Sequence, residues 1–431
     1  MPTHGNKLWI LRHGGSSTLV VGEIDLSTRQ LEYSRPYLAD RTQPALSLSL
    51  PLREDPFAEA EFRPYLEGLL PEGEDRRSLA AKLAVRDDDY LAMLSNSLEC
   101  MGDVAFSREP VDEANDPFGR ARYEPIGMNE VSGALSSSDA TAQASLTSRL
   151  SLTGTQHKMG LARCPGKEGE SVWLRPLGGA ASTHVLKSGQ LDAIPELEYL
   201  VMSSASKCGV TVPKVELIAL GRVRLAICVE RFDRQTTVLE DGRLAVRRLH
   251  QEDLAQSLGI YPGSKYAELD PSSASAIAHL LRNHSSQPLR DIQGLARIML
   301  LNYLVGNCDN HLKNLSLMHE GAWTRLAPAY DIVPTTLFDR FSRQMGMRIG
   351  RHGIIDEVIP EDFVELANEL GISEELLRRT ARELCDALPR SIDEEGERQA
   401  RTGFEALAYD AENLIADMLP RKATLESFAQ R

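Results

Sequence analysis

Short apolar runs separated by polar turns open the chain. Leu8 to Leu11 and Leu19 to Ile24 flank Gly14-Gly15-Ser16-Ser17, the pattern of two strands joined by a tight turn. Ala45 to Leu52 sets leucines against small or polar residues, which predicts an extended, half-buried segment. The period then becomes helical over 56–70, 76–85 and 88–98, with a charged break at 72–77, and Gly102-Asp103-Val104 leads into a strand. From 126 to 147 Ser, Thr, Ala and Gly prevail over large apolar groups, the composition of a mobile connector. Strand-like runs at 171–174, 184–187, 214–220 and 225–230 surround a helical pattern at 194–208. After Gln251 helices dominate, notably 292–305, 361–370 and 374–388. A strand-rich middle and a helix-rich end, joined around 235–250, predict an α+β fold of two lobes with its site in the cleft between them.

Composition changes this picture in three places. A length of 431 residues leaves room for roughly three domains, at about 150 residues each. Hydrophobic residues at 42% and charged residues at 26% exclude a long disordered chain. Against 62 acidic residues stand 48 basic ones, a formal charge of −14. Unaided DNA binding, which depends on neutralising phosphates, is disfavoured, and any nucleoprotein role calls for a basic partner. The amino terminus has no secretory pattern, and the apolar runs fall well short of the roughly 20 residues that span a bilayer. Six scattered cysteines form no CxxC pair, so a reduced, cytoplasmic protein without structural zinc is expected.

The strongest chemical signal is Gly306-Asn307-Cys308-Asp309-Asn310-His311-Leu312-Lys313-Asn314, followed by Tyr330-Asp331. Asp309 and Asn314 have the D-x-x-x-x-N spacing of a kinase catalytic loop. Phosphoryl transfer needs one carboxylate to take a proton from the attacking hydroxyl. It also needs an amide oxygen and a second carboxylate to hold magnesium against a triphosphate. A plain turn capped by Asp309 and Asn310 is the alternative for this loop alone. Upstream, Ser151 to Lys158 has the small residues of a loop that lets backbone N–H groups reach phosphates, with Lys158 adding charge. Lys187 ends a strand and Glu198 follows in a helix, the types that pair in protein kinases. Glu230-Arg231-Phe232-Asp233 closes a strand where a hinge would contact adenine through its backbone. Taken singly, each of these has an ordinary structural explanation; their order along the chain is the argument.

A competing motif lies near the amino terminus. Leu11-Arg12-His13-Gly14 resembles the start of a histidine phosphatase motif, and Arg351-His352-Gly353 offers a second copy. Gly15-Ser16-Ser17 lacks the expected continuation, so His13 reads as an exposed residue beside a hairpin.

With those residues quoted, the chain resembles the HipA family of serine/threonine kinase toxins from bacterial type II toxin–antitoxin systems. The resemblance runs through Leu46 to Leu52, Leu69 to Glu72, Met101 to Val104, Ser151 to Lys158, Thr183 to Lys187 and Glu198-Tyr199. It continues through Gly209 to Pro213, Val229 to Arg234, Leu249 to Asp253, Gly259 with Lys265-Tyr266, Asp309 to Asn314 and Pro328 to Ile332. It implies a two-lobed protein-kinase-like fold in four segments: an amino-terminal subdomain over 1–125, the connector over 126–147, a strand-rich nucleotide-binding part over 148–240 and a helical lobe over 241–431. Asp309 would be the catalytic base, and Asn314 and Asp331 the magnesium ligands. ATP would be held by Thr153, Gly154, Thr155, Gln156, His157, Lys158, Lys187, Glu230, Arg231, Phe232, His311, Lys313 and Tyr330, with Glu198 in support. Ser151 would be the inhibitory autophosphorylation site, with Ser148 and Thr147 as neighbouring candidates. The implied partners are a dimeric helix-turn-helix antitoxin of the HipB kind, operator DNA through that antitoxin, and an aminoacyl-tRNA synthetase, such as the glutamyl enzyme, as substrate. Departures are His157 in place of a frequent acidic residue, and Cys308 and Asn310 beside Asp309. A catalytically silent co-repressor subunit is the second reading.

Overall fold

Leu8, Ile10, Val21 and Ile24 bury one face of an antiparallel strand pair, Lys7–His13 against Thr18–Asp25, with Leu8 opposite Ile24 and His13 opposite Thr18. The computed structural model describes residues 6–13, 18–111, 116–149, 152, 157–165, 171–188, 193–221, 224–240 and 242–430. Helix accounts for 43% and strand for 24%, a mixed α+β composition. The turn at Gly14 to Ser17 lies outside the described residues.

The chain divides into two interleaved units: 1–190 with 218–262 and 318–322, and 191–217 with 263–317 and 323–431. In the first unit the opening hairpin belongs to a five-stranded sheet ordered 57–58, 30–33, 18–25, 7–13, 104–107. The helix Glu59–Gly68 packs Phe62, Tyr65 and Leu66 into the same apolar core. A second sheet pairs Arg224–Glu230 with His184–Ser188, that strand with His157–Pro165, and this in turn with Ser171–Leu177 and Arg122–Pro125. The second unit is mainly helical. The helix Pro288–Val305 buries Ile292, Leu295, Met299 and Leu300. Near the chain end, Gly396 in the helix Glu374–Ala400 lets Ala406–Gln430 approach closely, since a Cβ there would lie 2.6 Å from that of Ala411. All six cysteines are free thiols. Among the described residues no helix is long and apolar enough to cross a membrane.

Several expectations need correction. The stretch 126–147 is no connector: it forms the helices Met128–Ala134 and Ser138–Ser148, the second started by the Ser137 hydroxyl accepting from the Ala140 N–H. Small residues there allow close packing. Residues 45–52 turn back on themselves, with Leu50 N–H donating to Ser47 O at 3.0 Å, because Glu252 draws in the Ser47 hydroxyl and the Leu48 N–H. The charged break at 72–77 is largely the first turn of the helix Gly73–Leu83, where Glu74 and Asp75 suit the positive end of the helix dipole. Pro389 does not end the helix 374–388, which runs on to Ala400, and the helix Ala406–Gln430 was not foreseen. A boundary at 240/241 falls inside the hairpin of Arg234–Val238 with Leu244–Arg248.

Candidate active site

The helix Pro288–Val305 ends at Gly306, whose φ of 78° is the left-handed turn that glycine adopts without strain. A side chain there would also strike the Thr336 hydroxyl, 1.9 Å from an added Cβ. The loop that follows is clamped by side chains acting on backbone. Asn302 and Asn307 join through their amides at 2.7 Å, and Asn307 Oδ1 accepts from Asp309 N–H at 3.0 Å. Thr335 Oγ1 accepts from Cys308 N–H at 2.8 Å and donates to Gly306 O at 3.1 Å. Asn314 Nδ2 donates to the Asp309 carbonyl at 2.7 Å, and Tyr330 Oη donates to Lys313 O at 2.9 Å. Asn310, His311, Lys313 and Asn314 are buried, whereas the Asp309 side chain stays 50% exposed. These contacts fix the loop backbone and leave the Asp309 carboxylate half exposed.

The neighbouring groups extend this constellation. His311 Nε2 lies 3.8 Å from Asp309 Oδ1. Tyr266 Oη donates to the same Asp309 oxygen, and its ring meets His311 edge-on with centroids 4.9 Å apart. Asp331 adopts φ 60°, uncommon outside glycine, just after Ala329 N–H is tied to Thr211 O at 2.8 Å. Because Asn314 spends its N–H₂ on the loop carbonyl, its amide oxygen is the atom left for a cation. An amide oxygen and a carboxylate such as that of Asp331 are the ligand types a hard divalent ion takes. Burial pushes the Cys308 thiol pKa up, so this loop cysteine stays neutral and is no nucleophile.

Asp309, His311, Lys313, Asn314, Tyr330, Asp331 and Glu198 thus belong to the second unit, with Glu198 fully buried on the helix Ile194–Lys207. His157, Lys158, Lys187, Glu230, Arg231 and Phe232 belong to the first. Ser151, Thr153, Gly154, Thr155 and Gln156 lie outside the described residues. Lys158 stands directly opposite Lys187 across the antiparallel pair. His157 turns toward Asp75 instead, Nδ1 to Oδ1 at 3.4 Å, with both side chains buried.

The Arg231 side chain belongs to the frame of the first unit. Its guanidinium is buried among Asp233, Glu99, the Ser182 hydroxyl and the Cys100 carbonyl, at 2.7 to 3.2 Å, and its N–H donates to Thr183 O at 2.8 Å. The side chain is therefore structural and not a nucleotide contact. Arg234 and Arg248 complete the cluster; burial lowers Arg234 to about 10, while the adjoining Arg231 and Arg234 hold Asp233 at about 2 in spite of burial. The competing motif dissolves similarly. Arg12 is buried against Asp103, Tyr37 and the carbonyls of Pro44 and Ala45. His13 is half-buried, not exposed, and stacks on Phe118 at 4.7 Å.

Sequence reading missed Asn302, Thr335 and the contact of Tyr266 with Asp309. A lone asparagine in the apolar stripe of 292–305 was a usable signal for the first. Nothing local marked Thr335, since its partners lie 27 and 29 residues away.

Comparison with known proteins places these features in context. Residues 150–392 match the HipA-like C-terminal domain, and residues 16–107 match the HipA N-terminal domain. The chain is 33% identical to "Putative kinase Y4mE" of Sinorhizobium fredii, over 84% of this chain and 85% of that one. It is 25% identical to the "Serine/threonine-protein kinase toxin HipA" of Shewanella oneidensis, over 87% of each. The solved structure of the Shewanella oneidensis HipA, HipB and operator DNA complex superposes with a TM-score of 0.79 at 22% identity, covering 98% of this chain and 99% of that one, which establishes the shared fold.

Proposed function

Because the chain belongs to the HipA family, we propose that it is a serine/threonine protein kinase toxin that uses ATP with magnesium. One observation carries the reading: in a loop whose backbone is fixed throughout, Asp309 alone turns a carboxylate outward, five residues before an asparagine whose amide oxygen is left for a cation. In this reading Asp309 orients the acceptor hydroxyl and takes its proton as the new O–P bond forms. Asn314 and Asp331 hold Mg²⁺, which supplies neutralising charge to the phosphates. Lys158 and Lys187 meet phosphate oxygens, and the loop Thr153 to His157 contributes backbone N–H groups. Glu230 to Phe232 serve adenine through backbone atoms only. His311, Lys313 and Tyr330 face the nucleotide, and Glu198 is a supporting residue.

Ser151 is the proposed inhibitory autophosphorylation site, because a dianion beside the phosphate loop competes with ATP for the same donors. Of its neighbours, Ser148 is buried and Thr147 is exposed. The proposed partner is a dimeric helix-turn-helix antitoxin whose basic surface suits a chain of charge −14 and supplies the operator contact. The proposed target is an aminoacyl-tRNA synthetase, the glutamyl enzyme first among them, whose phosphorylation stops translation in the cytoplasm.

Purified full-length protein with Mg²⁺ and γ-labelled ATP tests the chemistry. Label on Ser151 is expected, and Asp309→Asn should lower its rate by about 10² to 10⁴. Wild-type protein that transfers nothing yet still binds its antitoxin and operator would leave the silent co-repressor as the better account. Phosphopeptide mapping after induced expression of wild type and Asp331→Asn tests the target; an unchanged synthetase would remove that assignment alone.

A further inference from the structure

Resting on the kinase reading above, we propose that Tyr266 is an internal latch on the acceptor seat: its hydroxyl occupies the position on Asp309 that the substrate hydroxyl must take. The argument starts from what the loop leaves available. Asp309 O is engaged by Asn314 Nδ2 and by His311 N–H, and Asp309 N–H by Asn307 Oδ1. The carboxylate is the part of Asp309 that faces outward, and an incoming serine or threonine must donate its O–H to it. Tyr266 Oη already donates to Oδ1 at 2.5 Å. A phenol and a seryl hydroxyl offer the same donor, so the two compete for Oδ1.

The construction around Tyr266 suits a part that swings. Its backbone is anchored: Ala267 N–H donates to Ser264 O at 2.9 Å, and the Glu268 carboxylate accepts from the backbone N–H groups of Ser273 and Arg348. Its side chain is 54% exposed, touching the edge of His311 on one side and the Lys265 ammonium, 5.2 Å from the ring, on another. Rotation about the side-chain bonds would free Asp309 without moving the loop. While the latch is closed, the phenol also takes the place of a water on Oδ1, which restrains hydrolysis of ATP when no acceptor is bound. Tyr266 is thus a positioning and specificity residue, and it transfers no group itself.

Tyr266→Phe keeps the ring and removes only the hydroxyl. Full-length wild type and variant are compared with Mg²⁺, ATP and dephosphorylated casein as acceptor. The variant should show a KM for casein lower by about three- to tenfold, the span of one modest hydrogen bond. Its kcat and its KM for ATP should stay unchanged, and ATP hydrolysis without casein should rise by a similar factor. A structural residue would move kcat or thermal stability instead of this split. An unchanged casein KM, or a fall in kcat, overturns the latch while leaving the kinase reading intact. Absence of transfer from wild type and Asp309→Asn alike removes the kinase reading, and the latch with it.

Discussion

The loop Gly306–Asn314 and the segment Glu230–Arg234 are both dense in charge and look equally chemical in sequence. They use their charges in opposite ways. Around Arg231, every charged group is buried against another: Glu99 accepts from the guanidiniums of Arg231 and Arg234, each at 3.2 Å, and from Ser182 N–H at 2.7 Å. Asp233 accepts from both arginines and from Gly102 N–H at 2.7 Å. In the loop, neutral amides and hydroxyls do the holding, and the carboxylate of Asp309 is left half in solvent. A buried charge with its partners supplied is part of the frame. The Asp309 carboxylate, held by Tyr266 and half exposed, stands outside that frame.

The largest effects should separate these two designs. Asp309→Asn is expected to remove activity by orders of magnitude, as above, while shifting unfolding free energy by no more than about 0.5 kcal/mol, since it changes one exposed group. Urea denaturation followed by circular dichroism measures the second quantity. Glu99→Ala should do the reverse to stability. It leaves Arg231, Arg234 and Arg248 buried and short of one carboxylate, at a cost of about 3–5 kcal/mol. A Glu99→Ala chain that melts like wild type would contradict the framework role of the cluster.

Stability against pH probes the same unit at another buried group. His250 lies 3.1 Å from Asp103 and stacks on His319 with centroids 4.8 Å apart, while Arg12 adds positive charge close by. Burial first, then Arg12, lowers its pKa from 6.5 to about 4, although Asp103 works in the other direction. Between these values the unfolded chain binds a proton that the folded chain excludes. The stabilisation is complete above pH 6.5 and is lost as pH falls toward 4, by on the order of 3 kcal/mol. Asp233, held at about 2, contributes its own loss only below its unfolded value of 3.8. His250→Gln should flatten the unfolding free energy between pH 6.5 and 4 and leave the acid loss below pH 4 in place. An unaltered slope across that window would refute the assignment.

These results also explain what the sequence could and could not reveal. The loop that carries Asp309 and Asn314 stands out in the sequence because their spacing is local; Asp309, Asn314 and Asp331 remain the proposed trio. Strands such as His184–Ser188 and helices such as Pro288–Val305 were legible through periodicity. The fate of Arg231 was not, because its partners Glu99 and Ser182 lie 132 and 49 positions away and nothing within Glu230-Arg231-Phe232 announces them. Residues 126–147 misled for a related reason: small side chains mean a linker when solvated and close helix packing when Val131 and Ala142 are buried, and composition does not distinguish the two. Tyr266 was visible as a residue but not as a contact, since its partner is 43 positions on.

The smallest predicted effect completes the comparison. Glu397 and Arg401, the residue capping the end of the helix Glu374–Ala400, form an ion pair one turn apart, with side chains 56% and 74% exposed. Chemically it is the same carboxylate–guanidinium contact as Glu99 with Arg231. In solvent, water already stabilises both ions, so the pair is worth only about 0.3–0.5 kcal/mol, and alanine recovers part of that through its helix propensity. Glu397→Ala should therefore change the unfolding free energy by less than about 0.5 kcal/mol, and less still at high salt. Measured beside Glu99→Ala by the same denaturation, it isolates burial as the variable. If the two substitutions cost alike, the energetic weight of the Arg231 cluster does not come from desolvated charge, and the contrast with the open Asp309 loop loses its physical basis.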